Sequence, residues 1–322
     1  MIQLVLPEKS KGGVYDFSRR LQEYIGYEDI QLVPISRESV SAWVVGPDDT
    51  VLLQMSGYGF SKRGAPLWLL HELERRRKDI KTLGIFFHEL YAFGPPWRSS
   101  FWLSPVQRYI VRKMAKLSDF WMTNRDGSAQ WLRQYAGEKP HAVLPVFSNV
   151  GESVAPPVKR LPKIIVFGGS VLRQKTYRAV GNELFSWAKS AALEVHDIGP
   201  PISDAKLSET LRTSGVILHG RLDGLEVDQL MEGAMFGLLA YPVEYVTKSG
   251  VFAAYCAHGI CPILISKNHA QSEGLMAGSH YLTGISNVSV VLQPQQIGQA
   301  AWEWYQTHTI ERHAELISKY VA

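Results

Sequence analysis

The chain has 322 residues, 34 Lys and Arg against 30 Asp and Glu, and 46% hydrophobic side chains. That is the mix of a soluble globular protein of about two domains and excludes a disordered or fibrous chain. Its apolar runs, such as residues 235–243, fall well short of the ~20 residues a bilayer span needs, and two cysteines, Cys256 and Cys261, are too few for a disulfide framework or a structural zinc site and point to a reducing cytosol. The positive surplus lies wholly in the first half. Residues 1–150 hold 20 Lys and Arg against 15 Asp and Glu, whereas residues 151–322 hold 14 against 15. Such asymmetry implies that the first half meets an anion: a phosphate, an acidic membrane face or nucleic acid.

In chain order, Met1–Pro7 lacks a basic, long-apolar leader pattern and reads as a strand over Ile2–Leu6. A loop with Lys9, Lys11, Gly12 and Gly13 follows, then a helix with Val14, Phe17, Leu21 and Tyr24 on one stripe. Strands are expected at Val51–Met55, Thr82–Phe87, Phe120–Thr123 and Ala142–Val146, because these are short apolar runs almost free of charge. Between them, Ser104-Pro105-Val106-Gln107 predicts a helix start with Ser at the N-cap, Pro in the first turn and Gln at the capping-box position. That helix runs to Leu117.

Gly151–Pro162 contains three prolines and little periodicity, the composition of a linker. Beyond it, strands are expected at Lys163–Phe167, Glu194–Ile198, Val216–His219, Gly237–Tyr241 and Cys261–Ile265. A helix is expected over Thr176–Ala191, another from Ser249 to a stop at Gly259, and a helical tail from Ala301 to Ala322. Alternating strands and helices mean parallel sheets with right-handed crossovers. The expectation is an α/β chain of two doubly wound Rossmann-like domains facing each other across a cleft.

Ligands of open α/β sheets bind beyond the carboxyl ends of the strands, at helix N-termini. Four strand-end loops are candidates. Gly12-Gly13-Val14-Tyr15-Asp16 follows the first strand and is either a plain tight turn or a loop that lets backbone approach a ligand. Phe87-His88-Glu89 ends a mid-domain strand; its His is either structural or a partner for a substrate hydroxyl. His219-Gly220-Arg221-Leu222 is a turn or a seat for a flat ring. Tyr241–Gly259 carries the strongest signal. Ser249 is a natural N-cap, Gly250 lets a phosphate sit against the helix N-terminus, and Lys248 adds a full positive charge there. Arg173 and Lys175 would clamp the same anion from the loop after Val166. Pro95–Trp102 combines aromatics with Arg and leads into a basic helix. It is expected to pack internally with its charges in water, to meet an anionic membrane along residues 95–117, to line an acceptor groove or to bind nucleic acid. No P-loop, H-E-x-x-H or G-x-S-x-G pattern is present, and no Cys/His spacing suits a metal.

Taken together, these residues resemble the GT-B glycosyltransferases, and within them the retaining glycosyltransferase family 4 group. The resemblance covers nearly the whole chain. It implies an N-terminal acceptor-side domain over 1–155, a C-terminal donor domain over 156–305, and a helix over 306–322 that crosses back to the first. Gly12 to Leu21 is similar to the family's first loop, near the acceptor and the transferred sugar, and places Gly13 and Asp16 beside His88 among the catalytic candidates. His88 matches the strand-end His that contacts the donor sugar. Gly220, Arg221 and Leu222 sit where the family's backbone holds the base, and Thr247, Lys248, Ser249, Gly250 and Val251 where its amides hold the diphosphate. Glu244 is present, but Phe252 and Ala254 stand where a second glutamate usually follows, and Arg173 and Lys175 are out of register with the family's basic pair.

The implied function is transfer of a hexose from a nucleotide sugar such as UDP-glucose to a saccharide or lipid-linked acceptor, with retention. The resemblance further implies no metal, no cofactor besides the nucleotide-sugar substrate, no nucleic-acid partner, and a cytoplasmic location extending to the inner membrane face. A nucleotide-sugar epimerase of the same fold, or a non-catalytic sugar- or nucleic-acid-binding protein, are the alternatives.

Overall fold

The computed structural model describes residues 1–8, 12–92, 97, 99–157, 159–285 and 294–321, with the side chains of residues 99 and 100 excepted. Of the residues singled out above, Lys9, Lys11, Pro95, Pro96 and Arg98 lie outside this set. The chain divides into two compact units, Met1–Pro145 with Ile310–Ala322, and Val146–Thr309.

In chain order the first unit contains β1 (Ile2–Pro7), α1 (Gly13–Ile25), β2 (Ile30–Ile35), β3 (Thr50–Met55), α2 (Gly57–Phe60), α3 (Leu67–Arg76), β4 (Thr82–Phe87), α4 (Ser99–Leu117), β5 (Phe120–Thr123), α5 (Asp126–Ala136) and β6 (His141–Val143). Its six strands are all parallel, in the order β2-β1-β3-β4-β5-β6. β3 is buried along its whole length, as a central strand covered on both faces must be. One face packs Val5, Leu53, Ile85 and Trp121 against Leu69 and Leu73 of α3, Ile110 and Met114 of α4, and Leu132 of α5. The other face carries Phe86 beneath Phe17 of α1, their rings stacked at 5.3 Å.

The second unit contains β7 (Leu161–Phe167), α6 (Ser170–Val180), α7 (Glu183–Ser190), β8 (Glu194–Ile198), α8 (Ala205–Thr213), β9 (Ile217–Gly220), α9 (Gly224–Met231), β10 (Ala234–Ala240), α10 (Gly250–Ala257), β11 (Cys261–Ile265) and α11 (Pro294–Tyr305). Then α12 (Ile310–Val321) returns the chain to the first unit, where it packs on α1. The second sheet is also parallel, in the order β11-β10-β7-β8-β9. Counted within the unit, that is the Rossmann order 3-2-1-4-5.

Several elements differ from the sequence expectations, each for a physical reason. β2 was not expected: it carries Pro34 and is buried only at its ends, Ile30 and Ile35, as suits an edge strand. α4 starts before Ser104 and keeps Pro105 inside it. Pro105 lies on the exposed face, where water can take the acceptor it strands one turn back. Gln107 therefore does not close a capping box. It is buried and joins two loops, accepting from the Ala92 amide at 2.7 Å and donating to the Arg63 carbonyl at 3.1 Å. The helix expected over 176–191 begins at Ser170 and breaks at Gly181, whose φ of +57° suits glycine. The C-terminal tail is α11 and α12, separated by a short 3₁₀ turn over Gln306–His308. The proline-rich stretch lies within the second unit, where Trp302 donates to the Ser153 carbonyl and Tyr305 to Glu152.

Candidate functional site

In the second unit, β7 and β10 are the neighbours at which the strand order reverses, so the loops that follow them define its ligand crevice. The two strands pair only as far as Ile165 and Gly237. Beyond that a buried tyrosine wedges them apart. The Tyr255 hydroxyl, from α10, accepts from the Phe167 amide at 3.1 Å and faces the carbonyls of Ile165 and Leu238 at 3.0 and 3.2 Å. Burial, above all, pushes this phenol far up its titration scale, so it stays a neutral hydrogen-bonding wedge. Gly237 is required beneath it, because a β-carbon there would lie 2.5 Å from the ring. On α6, the Thr176 hydroxyl accepts from the Ala240 amide at 3.0 Å. Splayed strand ends thus keep their polar groups satisfied.

Two helix N-termini converge at this crevice. α6 begins at Ser170 after Gly168 and Gly169. Gly168 has φ +123°, and a β-carbon on it would sit 3.0 Å from Val251 in the first turn of α10. Glycine is thus what lets the two turns approach. A β-carbon on Gly169 would meet nothing within 4 Å. α10 begins at Gly250, with Ser249 as N-cap: its hydroxyl accepts from the Phe252 amide at 3.2 Å. The helix geometry leaves the Gly250 and Val251 amides without intrahelical acceptors. Just before it, a 3₁₀ turn over Val243–Lys248 buries Thr247 and leaves Glu244 exposed. The Thr247 hydroxyl is buried without a hydrogen-bond partner among the described residues. Lys248 is half-buried, its ammonium 6.0 Å from the centroid of the Tyr245 ring. A residue the sequence did not flag joins this corner: a β-carbon on Gly250 would lie 3.0 Å from Nδ2 of Asn149.

The remaining candidates of this unit are placed differently. Arg173 does not reach the crevice as a clamp. Its side chain is 1% exposed and forms a buried ion pair with Asp197. It also donates to the Gly168 carbonyl at 2.8 Å and to the carbonyl of Pro200. Tyr177 completes the cluster, donating to Asp197 at 3.0 Å. The guanidinium thus ties the loops after β7 and β8 together from below. Lys175 is exposed on α6. Gly220 has φ +73° with open space where a side chain would stand, and its carbonyl accepts from the Gly199 amide at 2.8 Å. Arg221 beside it is exposed and Leu222 half-buried. His219 stacks on His196 with ring nitrogens 2.9 Å apart. Burial first, then His196, lowers its pKa.

In the first unit the order reverses between β1 and β3, and the neighbouring strand ends carry the polar residues. Strand alternation places Gln54, His88 and Asn124 on one face: Gln54 is level with Phe86, and His88 and Asn124 follow two residues beyond Phe86 and Met122, past the ends of β4 and β5. All three are buried. His88 Nε2 lies 2.8 Å from Gln54 Oε1. The His88 ring is fixed edge-on by Phe86 at 4.3 Å and by Phe17 at 5.3 Å. His313 of α12 covers Phe17 at 5.4 Å and places Nε2 2.9 Å from the Pro145 carbonyl. Complete burial pushes its pKa down to about 4. Gly12 and Gly13 lead α1, are exposed, and have nothing within 4 Å of a notional β-carbon; Asp16 sits half-buried in its first turn. A signal for Gln54 was present in the sequence, because Val51–Met55 reads as a wholly buried strand interrupted by one amide. Asn149 had none.

Among the described residues, no group of three His, Cys, Asp or Glu side chains is arranged to hold a metal ion.

No protein-family model and no curated protein matches the chain. Solved structures do. The pneumococcal O-GlcNAc transferase GtfA, in complex with UDP and GlcNAc, is 11% identical with a TM-score of 0.58; the match covers 88% of this chain and 58% of that one, so the chain spans under two thirds of that relative's length. A sucrose-phosphate synthase from Thermosynechococcus elongatus is 10% identical with a TM-score of 0.58, over 99% of this chain and 97% of that one. A Listeria monocytogenes protein assigned as a UDP-N-acetylglucosamine 2-epimerase is 12% identical with a TM-score of 0.54, over 99% and 95%. Such likeness shows the fold: the two Rossmann-like units are those of GT-B.

Proposed function

We propose that this chain is a glycosyltransferase that moves a hexosyl group from a nucleoside diphosphate sugar, of the UDP-glucose kind, to a hydroxyl of a saccharide or lipid-linked acceptor. The observation that carries this is the glycine-lined meeting of two helix N-termini at the β7/β10 switch point, with Lys248 beside it. A departing diphosphate carries about two negative charges, and unpaired first-turn amides plus a lysine supply matching positive potential. The amides of Gly250 and Val251 would hold the diphosphate, with Ser249, Thr247 and Lys248 flanking it (the Ser249 amide itself is taken by the Val246 carbonyl at 2.9 Å), and the Gly220–Leu222 backbone would hold the base. Glu244, exposed at the start of the 3₁₀ turn, would meet the nucleotide on its donor side. His88, Gly13 and Asp16 are assigned to the transferred sugar and its acceptor. In the reaction the bond from the sugar carbon to the diphosphate oxygen breaks, the bond to the acceptor oxygen forms, and the acceptor proton leaves with the diphosphate. Similarity to the retaining family 4 group gives transfer with retention, and the charge placed at α10 makes a metal ion dispensable.

UDP should raise the melting temperature, by mass action worth about 2.7 kcal/mol at a hundredfold excess over Kd. Lys248→Ala should weaken UDP affinity about tenfold or more. Absence of any UDP effect would sink the reading, and an unchanged Kd in the variant would remove Lys248 from the site. The whole-length likeness to an epimerase supports a second reading. Conversion of a UDP sugar with no acceptor present would favour it.

We further assign α4 to an anionic membrane surface. Its solvent stripe presents Phe101, Trp102, Val106 and Tyr109, then Lys113 and Lys116. Aromatic and basic side chains on one face suit a bilayer interface. No helix among the described residues is long and apolar enough to cross a membrane. The chain should sediment with phosphatidylserine vesicles at low salt, and Trp102→Glu should abolish this. No sedimentation would leave α4 a solvated face.

A further inference from the structure

The corner where α10 begins holds an asparagine to which the reading above gives no task. Asn149 lies in the segment 146–150, which is pinned within the second unit on both sides of it. The Val146 amide donates to the Thr247 carbonyl at 2.9 Å, and the Ser148 amide to the Tyr305 hydroxyl at 2.7 Å. Phe147, Ser148 and Val150 are buried, and Asn149 is half-buried. Its side-chain amide makes no hydrogen bond to any described residue. Both ends of the amide are therefore uncommitted, and an anion would draw the NH₂ group toward itself whichever way the amide lies. Gly250 is fitted to this neighbour. Its φ is not positive, so its backbone suits any residue. A β-carbon there would instead crowd Asn149, at 3.0 Å from Nδ2 and 3.4 Å from Cγ. The missing side chain thus lets the amide lie against the first turn of α10, where the Gly250 and Val251 amides lack intrahelical acceptors. Thr247, 2% exposed, brings to the same corner a hydroxyl with no hydrogen-bond partner among the described residues.

We propose that Asn149 is a further binding residue for the anion at α10, its amide NH₂ donating to an oxygen of the diphosphate beside the Gly250 and Val251 amides. The inference rests on the diphosphate site of the transferase reading and adds a neutral donor to it. A hydrogen bond from a neutral amide acts by contact, whereas the Lys248 charge acts at a distance. Asn149 therefore selects for phosphate oxygens and leaves the nucleoside untouched.

Calorimetry of the full chain with UDP and with inorganic pyrophosphate tests this. Asn149→Ala should weaken both ligands by the same factor, about tenfold, as loss of a hydrogen bond to a charged group does. Asn149→Asp sets a like charge against the anion and should weaken both at least as much. A crystal of the wild-type chain soaked with UDP should place Nδ2 within about 3.2 Å of a phosphate oxygen, which decides the matter even if both variants misfold. An unchanged UDP Kd in folded Asn149→Ala overturns the inference, as does a variant that weakens UDP but not pyrophosphate, or an Nδ2 turned away from the phosphates. A wild-type chain that binds neither ligand sinks the transferase reading and the inference together. If both ligands bind and both weaken in the variants, yet no transfer occurs from a UDP sugar, Asn149 stands and the transferase reading alone falls.

Discussion

Arg173 shows how one side chain can look like a ligand clamp and serve as a brace. Read in sequence, it is a cation in a loop that follows a strand of an α/β sheet, where anions bind. What decides its role is Asp197, 24 positions on in the neighbouring strand β8. A buried ion pair is weak evidence of stability, but removing one partner leaves the other charge uncompensated. Arg173→Ala should therefore cost about 3–5 kcal/mol in urea unfolding, whereas Lys175→Ala, exposed on the same helix, should cost under about 0.5 kcal/mol. Equal and small losses would show that Arg173 is not a brace. The pairing was beyond reach of local sequence because the adjacency of β7 and β8, not spacing, brings Arg173 in the first turn of α6 to Asp197. Gln54 is the contrasting case: its position inside an apolar strand advertises it, although its partner His88 becomes apparent only once β3 and β4 lie side by side.

At the scale of elements, composition predicted best where a cap or a buried strand dominates. Thr82–Phe87, Phe120–Thr123, Glu194–Ile198 and Cys261–Ile265 lie where their apolar runs place them, and Ser249 caps α10 as its residue type suggests. Reading failed where tertiary context overrides the local rule, as with Pro105 carried inside α4 and the edge strand β2. α12 adds an element whose docking depends on pH. His313 is a base whose folded pKa, about 4, lies below its ordinary 6.5 because burial disfavours the imidazolium. The unfolded chain therefore binds the proton first. The contribution is complete above about pH 6.5 and is lost as pH falls toward about 4, reaching about 3 kcal/mol. His313→Asn should flatten that part of the stability profile relative to wild type between pH 7 and pH 4. A variant whose profile stays parallel to wild type would refute the assignment.

For the whole molecule, the two sheets reverse at different places, between β1 and β3 in the first and between β7 and β10 in the second. Alternating strands and helices announce doubly wound sheets, but strand order is invisible in a single sequence because it depends on which crossover each helix takes. The chain also passes between the units twice, after Pro145 and after Thr309. Removing residues 310–322 should therefore destabilise the first unit, because Ile310, His313, Ala314 and Ile317 of α12 are buried. A truncated chain whose first unit melts at the wild-type temperature would contradict this.

That second passage means a single cut does not liberate either piece. Hydrolysis of the backbone between Pro145 and Val146 severs the only covalent link between the fragments, yet one of them still carries the helix that the other needs to cover Phe17. The polypeptides 1–145 and 146–322, produced separately and mixed, should recover each other in solution and elute together, held by a strap that neither part can complete alone.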